Sequence, residues 1–396
     1  MAIALAKFRS TRLQTYNLVF SLTVAVSLAL MGLAYTFLVR TGETISPAAA
    51  AQRQQTENVI FGSALFFRPV PYKIALYGLR RPDVAIVGSS RAIEFVGRGF
   101  SRPMTNLGSM RDLGQIRQLL ESMLSVHRPK LILLTVDFWW FNGARSVDTV
   151  GVQPDGDARL SLLQLLKPFV WIAQGKIGLG DFLAGALSPW YRPAGIGVAA
   201  SFDHVGYDPD GAYDYGGELT GKRRHRDPRF ATTLAHIEEA SAHNKFNVHT
   251  AMDEAQWSSL VDIVHLVRAS GAELILVLPP VSKTVADRLA AGGAPNLLTL
   301  MNARLPALGV PVFDFHDPTA IGSSECEFID GFHGGRVTYL RMLDAIARSG
   351  RTSLGSFVDL ETIDRLIAGN VGRATFREDE RAGEPETDFL DLGCKK

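Results

Sequence analysis

The chain has 396 residues, 46% hydrophobic and 20% charged, with 41 Lys plus Arg against 40 Asp plus Glu and a formal net charge of +1. This composition excludes a disordered chain and is enough for one large core or two modest ones, and its near-neutral balance creates no field that would gather nucleic acid. Two cysteines, Cys326 and Cys394, are too few for a disulfide framework and too widely spaced for a metal motif, so the expectation is two free thiols, with a single bridge as the alternative.

The first element is an apolar run, residues 16–39, which contains no charged side chain. Such a run is long enough to cross a bilayer as a helix. Lys7, Arg9 and Arg12 precede it, whereas only Arg40 and Arg53 follow closely. The positive-inside bias therefore places the N-terminus in the cytoplasm and the rest of the chain outside, in the periplasm if the host is Gram-negative. A cleaved signal peptide is the rival reading, because small residues around "SPAAAAQ" suit a peptidase. They lie well beyond the apolar run, which favours an uncleaved anchor over residues 1–40. Residues 41–58 read as a polar, Ala-rich linker.

Beyond the linker, short apolar runs alternate with helical patterns, the signature of a parallel α/β sheet. Five strands are expected: "DVAIVG" from Asp83, "PMTNLG" from Pro103, "KLILLTVD" from Lys130, "AELILVLPP" from Ala272 and "VPVFDF" from Val310. Between the second and third, Ile116, Leu119, Leu120, Met123 and Leu124 follow helical spacing, and a further amphipathic helix runs over residues 253–270. Residues 143–249 separate strands three and four and are too many for a simple loop, so they are expected to form an insertion or lid. Within it Lys222, Arg223, Arg224 and Arg226 form a basic cluster, either a solvated surface or a contact for an anionic polymer or lipid headgroup. Residues 373–396 read as a charged, flexible tail, leaving 59–372 as the principal domain.

The chemistry gathers at strand ends. "IVGSSRAIEF" carries strand one into a Gly-Ser turn, which presents a hydroxyl at the carboxyl edge of the sheet, where open α/β folds bind ligands. Neither "GxxxxGK[ST]" nor "GxGxxG" is present, so a nucleotide site is not expected, and no cofactor motif is found. "TNLGSM" places Asn106 and Gly108 after strand two. "VDFWWFNGA" places Asp137, Trp139, Trp140 and Asn142 after strand three. "FIDGFHGG", residues 328–335, sets Asp330 three residues before His333. "FDFHDP", with Asp314, His316 and Asp317, lacks a converging ligand set and reads as a loop rather than a metal site.

This order of pieces resembles the SGNH hydrolase superfamily, also called GDSL-like. The resemblance spans residues 83–346 apart from the insertion, and rests on "GSSR" and "DGFH". It implies a flavodoxin-like five-stranded parallel sheet flanked by helices, with Ser90 as nucleophile, His333 as general base and Asp330 as the acid that orients it. Ser89 stands where the family's acid usually stands. The Ser90 N–H, the Gly108 N–H and the Asn142 amide would form an oxyanion hole, although Asn142 follows its strand later than the family pattern has it. Ser89, Arg91, Asn106, Asp137, Trp139 and Trp140 are candidate substrate contacts. Each also has a plain alternative: the serines as helix caps, Asp330 and His333 as a hydrogen-bonded turn, Asp137 as a structural cap, and the tryptophans as core packing.

Within the superfamily the chain is most similar to membrane-anchored extracytoplasmic members, the alginate O-acetyltransferase periplasmic proteins and the D-alanyl lipoteichoic acid transfer protein. That similarity implies acyl transfer to, or ester removal from, a cell-envelope or exported polysaccharide, alongside a membrane-bound O-acyltransferase. Two other readings stand beside it: a degenerate scaffold that binds glycan or recruits the acyltransferase, and a membrane-tethered lipid esterase.

Overall fold

The computed structural model describes residues 2–66, 69–143, 159–222, 227–239, 246–248, 251–291, 297–380 and 384–396, with side chains from residue 13 onward. Contacts divide it into two compact units: Met1–Ser46, Gly62–Phe67 and Asp157–Phe202 form one, and Pro47–Phe61, Arg68–Gly156 and Asp203–Lys396 form the other.

The larger unit is built on a five-stranded parallel sheet. Its strands are β1 (Val84–Val87), β2 (Met104–Leu107), β3 (Leu131–Thr135), β6 (Glu273–Leu278) and β7 (Val312–Asp314), in spatial order β2-β1-β3-β6-β7. A separate two-stranded antiparallel ribbon pairs β4 (Gly206–Tyr207) with β5 (Tyr213–Asp214). All five expected strands are present, and the order reverses between β1 and β3, so a crevice is left there outside their carboxyl ends.

Strand periodicity divides the core into two layers. Ala85, Val87, Ile132, Leu134, Leu274, Leu276 and Leu278 share one buried cluster, whereas Val84, Ile86, Leu131, Leu133, Ile275 and Val277 share another. Successive side chains on a strand point to opposite faces, so a sheet covered on both faces needs the continuous apolar runs seen here.

The helices among the described residues, in chain order, begin with α1 (Ala2–Arg40), α2 (Pro47–Glu57), α3 (Pro69–Arg80) and α4 (Leu113–Val126). Next come α5 (Leu162–Leu165), α6 (Lys167–Ala173), α7 (Leu179–Leu187), α8 (Ala231–Glu238) and α9 (Glu254–Ser270). The last four are α10 (Lys283–Ala290), α11 (Leu297–Arg304), α12 (Arg336–Arg348) and α13 (Leu360–Gly369). Helices α3, α4 and α9 supply the first layer and α12 and α13 the second.

Local sequence explains where these helices start and stop. Asp112 caps α4 by accepting the Gln115 N–H at 2.8 Å, and Asp253 caps α9 by accepting the Ala255 and Gln256 N–H groups. Gly271, at φ 83°, ends α9 in the left-handed conformation that glycine adopts without steric cost.

Three expectations need correction. Residues 41–58 are not a loose linker: they contain α2, whose Ala50, Ala51 and Gln54 are buried, with the Gln54 amide donating to the Val59 and Tyr207 carbonyls. The cysteines are not free, because Cys326 and Cys394 form a disulfide with a Cα–Cα distance of 5.8 Å. The tail is not loose either: the Lys396 ammonium pairs with the buried Glu386 carboxylate at 2.6 Å, and Phe376 and Leu390 enter the core. The bridge spans 68 residues of sequence, and on loop-closure entropy a loop of that size stabilises the fold by about 4 kcal/mol. The low cysteine count had argued against pairing, but the fold brings two distant thiols together.

In the smaller unit, α1 is long and apolar enough to cross a membrane. Every side chain from residue 13 to residue 30 is exposed. Its C-terminal end is different: Phe37 and Leu38 are buried in a cluster with Trp171, Ile177, Phe182, Ala186 and Val198.

Candidate active site

Strand β1 ends at Val87 and the chain turns at Gly88 into a 3-10 turn, Ser90–Ala92. A side chain at position 88 would run into Thr135 Oγ1 at 1.9 Å, so only glycine lets β1 turn this closely against β3. Ser89 is buried and caps the turn, its hydroxyl accepting the Arg91 N–H at 3.0 Å. Ser90 is the residue left exposed, and as the first residue of the turn its N–H has no intrahelical acceptor.

On the other side, "FIDGFHGG" folds into a tight reversal closed by an isolated bridge between Phe328 and Gly334. Asp330 Oδ1 accepts the Phe332 and His333 N–H groups, each at 2.8 Å, which fixes the carboxylate inside its own turn. His333 Nδ1 lies 2.8 and 2.9 Å from the two Asp330 oxygens, and His333 Nε2 lies 2.9 Å from Ser90 Oγ. The structure thus joins all three residues that the sequence proposed as a triad. Burial on its own would raise the Asp330 pKa, but the His333 charge, its ring hydrogen bond and the two backbone N–H groups outweigh that and lower it. His333 and Asp330 keep 22% and 29% of their side-chain surface, so the relay opens to solvent.

The turn is held from several directions. The Arg91 guanidinium is almost wholly buried. It donates from Nε to the Phe332 carbonyl at 3.0 Å and from Nη1 to Asp137 Oδ1 at 3.0 Å, and it also donates to the Pro279 carbonyl. The residue after Ser90 therefore ties the ends of β1, β3 and β6 to the backbone next to His333. Tyr339 of α12 donates to the Arg91 carbonyl. Asp227 accepts the Gly331 N–H at 3.0 Å, and Phe246 stacks on Phe332 with centroids 4.1 Å apart. At Gly335 the backbone of Ala374 approaches so closely that a Cβ would lie 2.2 Å from its carbonyl oxygen. Asp227, Phe246 and Ala374 come from regions expected to be lid or tail, and nothing in their local sequence marks them as supports for the histidine.

The remaining proposed residues take other roles. Gly108 does not offer a free oxyanion donor, because its N–H donates to Asn106 Oδ1 at 2.8 Å. Asn142 is 1% exposed, and its amide donates to the Asn247 carbonyl at 3.3 Å. Of the three expected donors, the Ser90 N–H alone has no hydrogen-bond acceptor among the described residues.

The candidate substrate contacts are likewise corrected by burial. Ser89, Arg91, Asn106, Asp137, Trp139 and Trp140 all keep 7% or less of their surface. Asn106 donates to the Ala92 and Phe95 carbonyls at 2.8 and 2.9 Å, stapling the serine turn to β2. Asp137 is the buried counter-ion of Arg91; burial raises its pKa, and Arg91 and Ser89 pull it back only partly. Trp139 packs under the Arg91 guanidinium and against Phe246 and Phe332, and the Trp140 indole donates to the Arg111 carbonyl. Neither is a platform for a sugar. Of the basic cluster, Lys222 pairs with Glu384, and Arg223, Arg224 and Arg226 lie outside the described residues.

Comparison with known proteins yields no matching family model, no matching curated protein and no matching solved structure.

Proposed function

We propose that the chain is a membrane-anchored serine acyltransferase or esterase of SGNH type, acting outside the membrane on O-acyl groups, chiefly O-acetyl, of an envelope or exported polysaccharide. The observation that carries this reading is the unbroken relay from the exposed Ser90 hydroxyl through His333 to Asp330 at the carboxyl edge of the sheet. The strand order and the residue order of "GSSR" and "DGFH" support the SGNH assignment. The disulfide supports an extracytoplasmic location, since such bridges persist in oxidising compartments.

In the proposed reaction, Ser90 Oγ adds to the ester carbonyl while His333 Nε2 takes its proton, and Asp330 stabilises the resulting imidazolium. The Ser90 N–H faces the developing oxyanion. Collapse expels the alcohol, which takes the proton from His333, and leaves an acyl-Ser90 ester. A sugar hydroxyl or a water then attacks that ester, with His333 again as base. The acyl group would come from an acylated glycan or from a membrane-bound O-acyltransferase partner, and no cofactor is invoked.

One observation favours a second reading, a non-catalytic scaffold that binds glycan or recruits the acyltransferase: the Gly108 and Asn142 donors are committed within the protein. Labelling the detergent-solubilised full chain with a fluorophosphonate probe separates the two. The enzyme reading expects labelling that is lost in Ser90→Ala and His333→Ala and kept in Ser89→Ala. A folded wild type that takes no label supports the scaffold.

A further inference from the structure

Exposed large apolar side chains are distributed unevenly over the described residues. Outside α1 there are twelve, and eight of these fall between residues 162 and 190: Leu162, Leu163, Leu166, Val170, Leu179, Leu183, Leu187 and Trp190. The larger unit contributes only Leu79, Val126, Leu300 and Val371. Apolar exposure concentrated in this way in one short stretch of chain points to an interaction site rather than ordinary scattered exposure.

Helix α7 shows the pattern most clearly. Phe182, Gly185 and Ala186 are buried, with the Phe182 ring 5.2 Å from that of Phe37 on α1. Leu179, Leu183 and Leu187, four residues apart, form a second apolar stripe that is exposed. A helix that is apolar on its outer as well as its inner side is not finished by water.

The position of this surface identifies what covers it. The exposed stretch of α1, residues 13–30, rises about 27 Å at 1.5 Å per residue, close to a hydrocarbon core. Immediately after it, Phe37 and Leu38 enter the cluster that holds α6 and α7, and Arg40 donates to the Ser188 carbonyl. The buried Glu43 carboxylate then locks the join: it accepts from the Ser63 hydroxyl at 2.6 Å and from the Ala64, Leu65 and Val198 N–H groups. These short helices are thus fixed where the apolar span ends. Trp190 is 84% exposed there, and an indole at that depth suits the headgroup boundary. Residues 159–202 carry Arg159, Lys167, Lys176 and Arg192 against a single acid, Asp181, a balance that favours anionic headgroups.

We infer that residues 162–190 form an amphipathic collar seated in the interfacial layer of the same membrane that α1 crosses. The inference rests on the anchored reading of α1 and goes beyond it. The first half of the long insertion is then a second membrane contact. Two-point seating removes the swivelling that a single helix allows.

Both cysteines are in the disulfide, so one introduced thiol can be spin-labelled without competition. The full chain, reconstituted in vesicles of phosphatidylethanolamine and phosphatidylglycerol, is labelled at Leu163→Cys, Leu187→Cys or Trp190→Cys, all of which replace exposed side chains. Val24→Cys reports the span, and Glu121→Cys on α4 reports water. The readout is the ratio of collisions with oxygen to collisions with a nickel chelate. The collar is expected to give a ratio severalfold above that at Glu121→Cys and below that at Val24→Cys. Collar positions that match Glu121→Cys, with Val24→Cys still in lipid, overturn the collar and leave the anchor standing. Low collision rates with both reagents mean protein covers the surface, which also overturns it. Val24→Cys in water overturns the anchor and the collar together.

Discussion

Two halves of the sheet's carboxyl edge commit their polar groups in opposite ways. Around β1 and the "DGFH" reversal, Ser90, His333 and Asp330 bond chiefly to one another and keep surface open to solvent. Around the ends of β2 and β3, Asn106, Gly108 and Asn142 are buried and spend their N–H donors on the protein, and the buried Asp137 accepts from Arg91. Residue type and place in the chain are similar in the two halves. Burial and the hydrogen-bond partners that go with it set the two halves apart, because a buried polar group must be satisfied somewhere.

The largest expected effect breaks the proposed relay outright. Ser90→Ala and His333→Ala should each lower ester turnover by about 10⁵-fold or more, as expected when nucleophile and base act as one unit. Acetate release from an acetylated glycan, measured with the full chain, checks this. A loss below tenfold in either variant would remove the triad from the reaction.

Asp330→Asn comes next, with a fall in kcat of about 10³ to 10⁴-fold, because the amide holds the wrong imidazole tautomer. Its pH dependence has a definite sign. The folded-state pKa of Asp330 is lowered, so its carboxylate contribution is fully present above the unfolded value of about 3.9 and is lost only as pH falls through the lower folded value. Tracking the Asp330 carboxyl carbon by NMR should therefore give a midpoint below the ordinary aspartate range. A midpoint above it would contradict the relay.

Arg91 tests the boundary between the halves, since it is buried like a staple but grips the backbone beside His333. Arg91→Lys keeps a positive charge opposite Asp137 but loses the planar fork that reaches three acceptors. Turnover should fall by up to about 10²-fold with KM little changed, the expected result of misplacing a proposed base by about 1 Å. Arg91→Ala should instead unfold the site, because it leaves Asp137 as an uncompensated buried charge at a cost of about 3 to 5 kcal/mol. Equal melting losses in the two variants, with kcat unchanged in Arg91→Lys, would reduce Arg91 to a structural role.

The sequence was informative wherever a signal is local. The continuous apolar runs of β1, β3 and β6, the helical spacing from Ile116 to Met123 and the amphipathic run over residues 253–270 all follow from near neighbours in the chain. That "GSSR" and "DGFH" meet was legible because strand ends converge in this kind of sheet. What was hidden depends on distant pairing. Asp227 meets Gly331 across 104 residues, and Cys326 meets Cys394 across 68. Asn106 and Trp139 looked like ligand contacts because amides and indoles serve either role. Their burial, which no local pattern encodes, decided the matter.

The smallest expected effect on the rate is the one that sharpens the comparison most. Asn142→Ala removes an amide already engaged by the Asn247 carbonyl, so kcat should stay within about twofold, whereas loss of an oxyanion donor costs about 10² to 10³-fold. Asn106→Ala should separate stability from rate in the same way. It removes the side-chain donor to the Ala92 and Phe95 carbonyls and lowers stability by about 1 to 3 kcal/mol, yet it releases the Gly108 N–H from its present acceptor. If the freed N–H can reach the oxyanion, turnover per folded molecule rises while the melting point drops. If Gly108 is only part of the staple, both fall together. A hundredfold loss in Asn142→Ala would mean that its amide leaves Asn247 when substrate binds, and that the quiet half of the edge becomes reactive only in the complex.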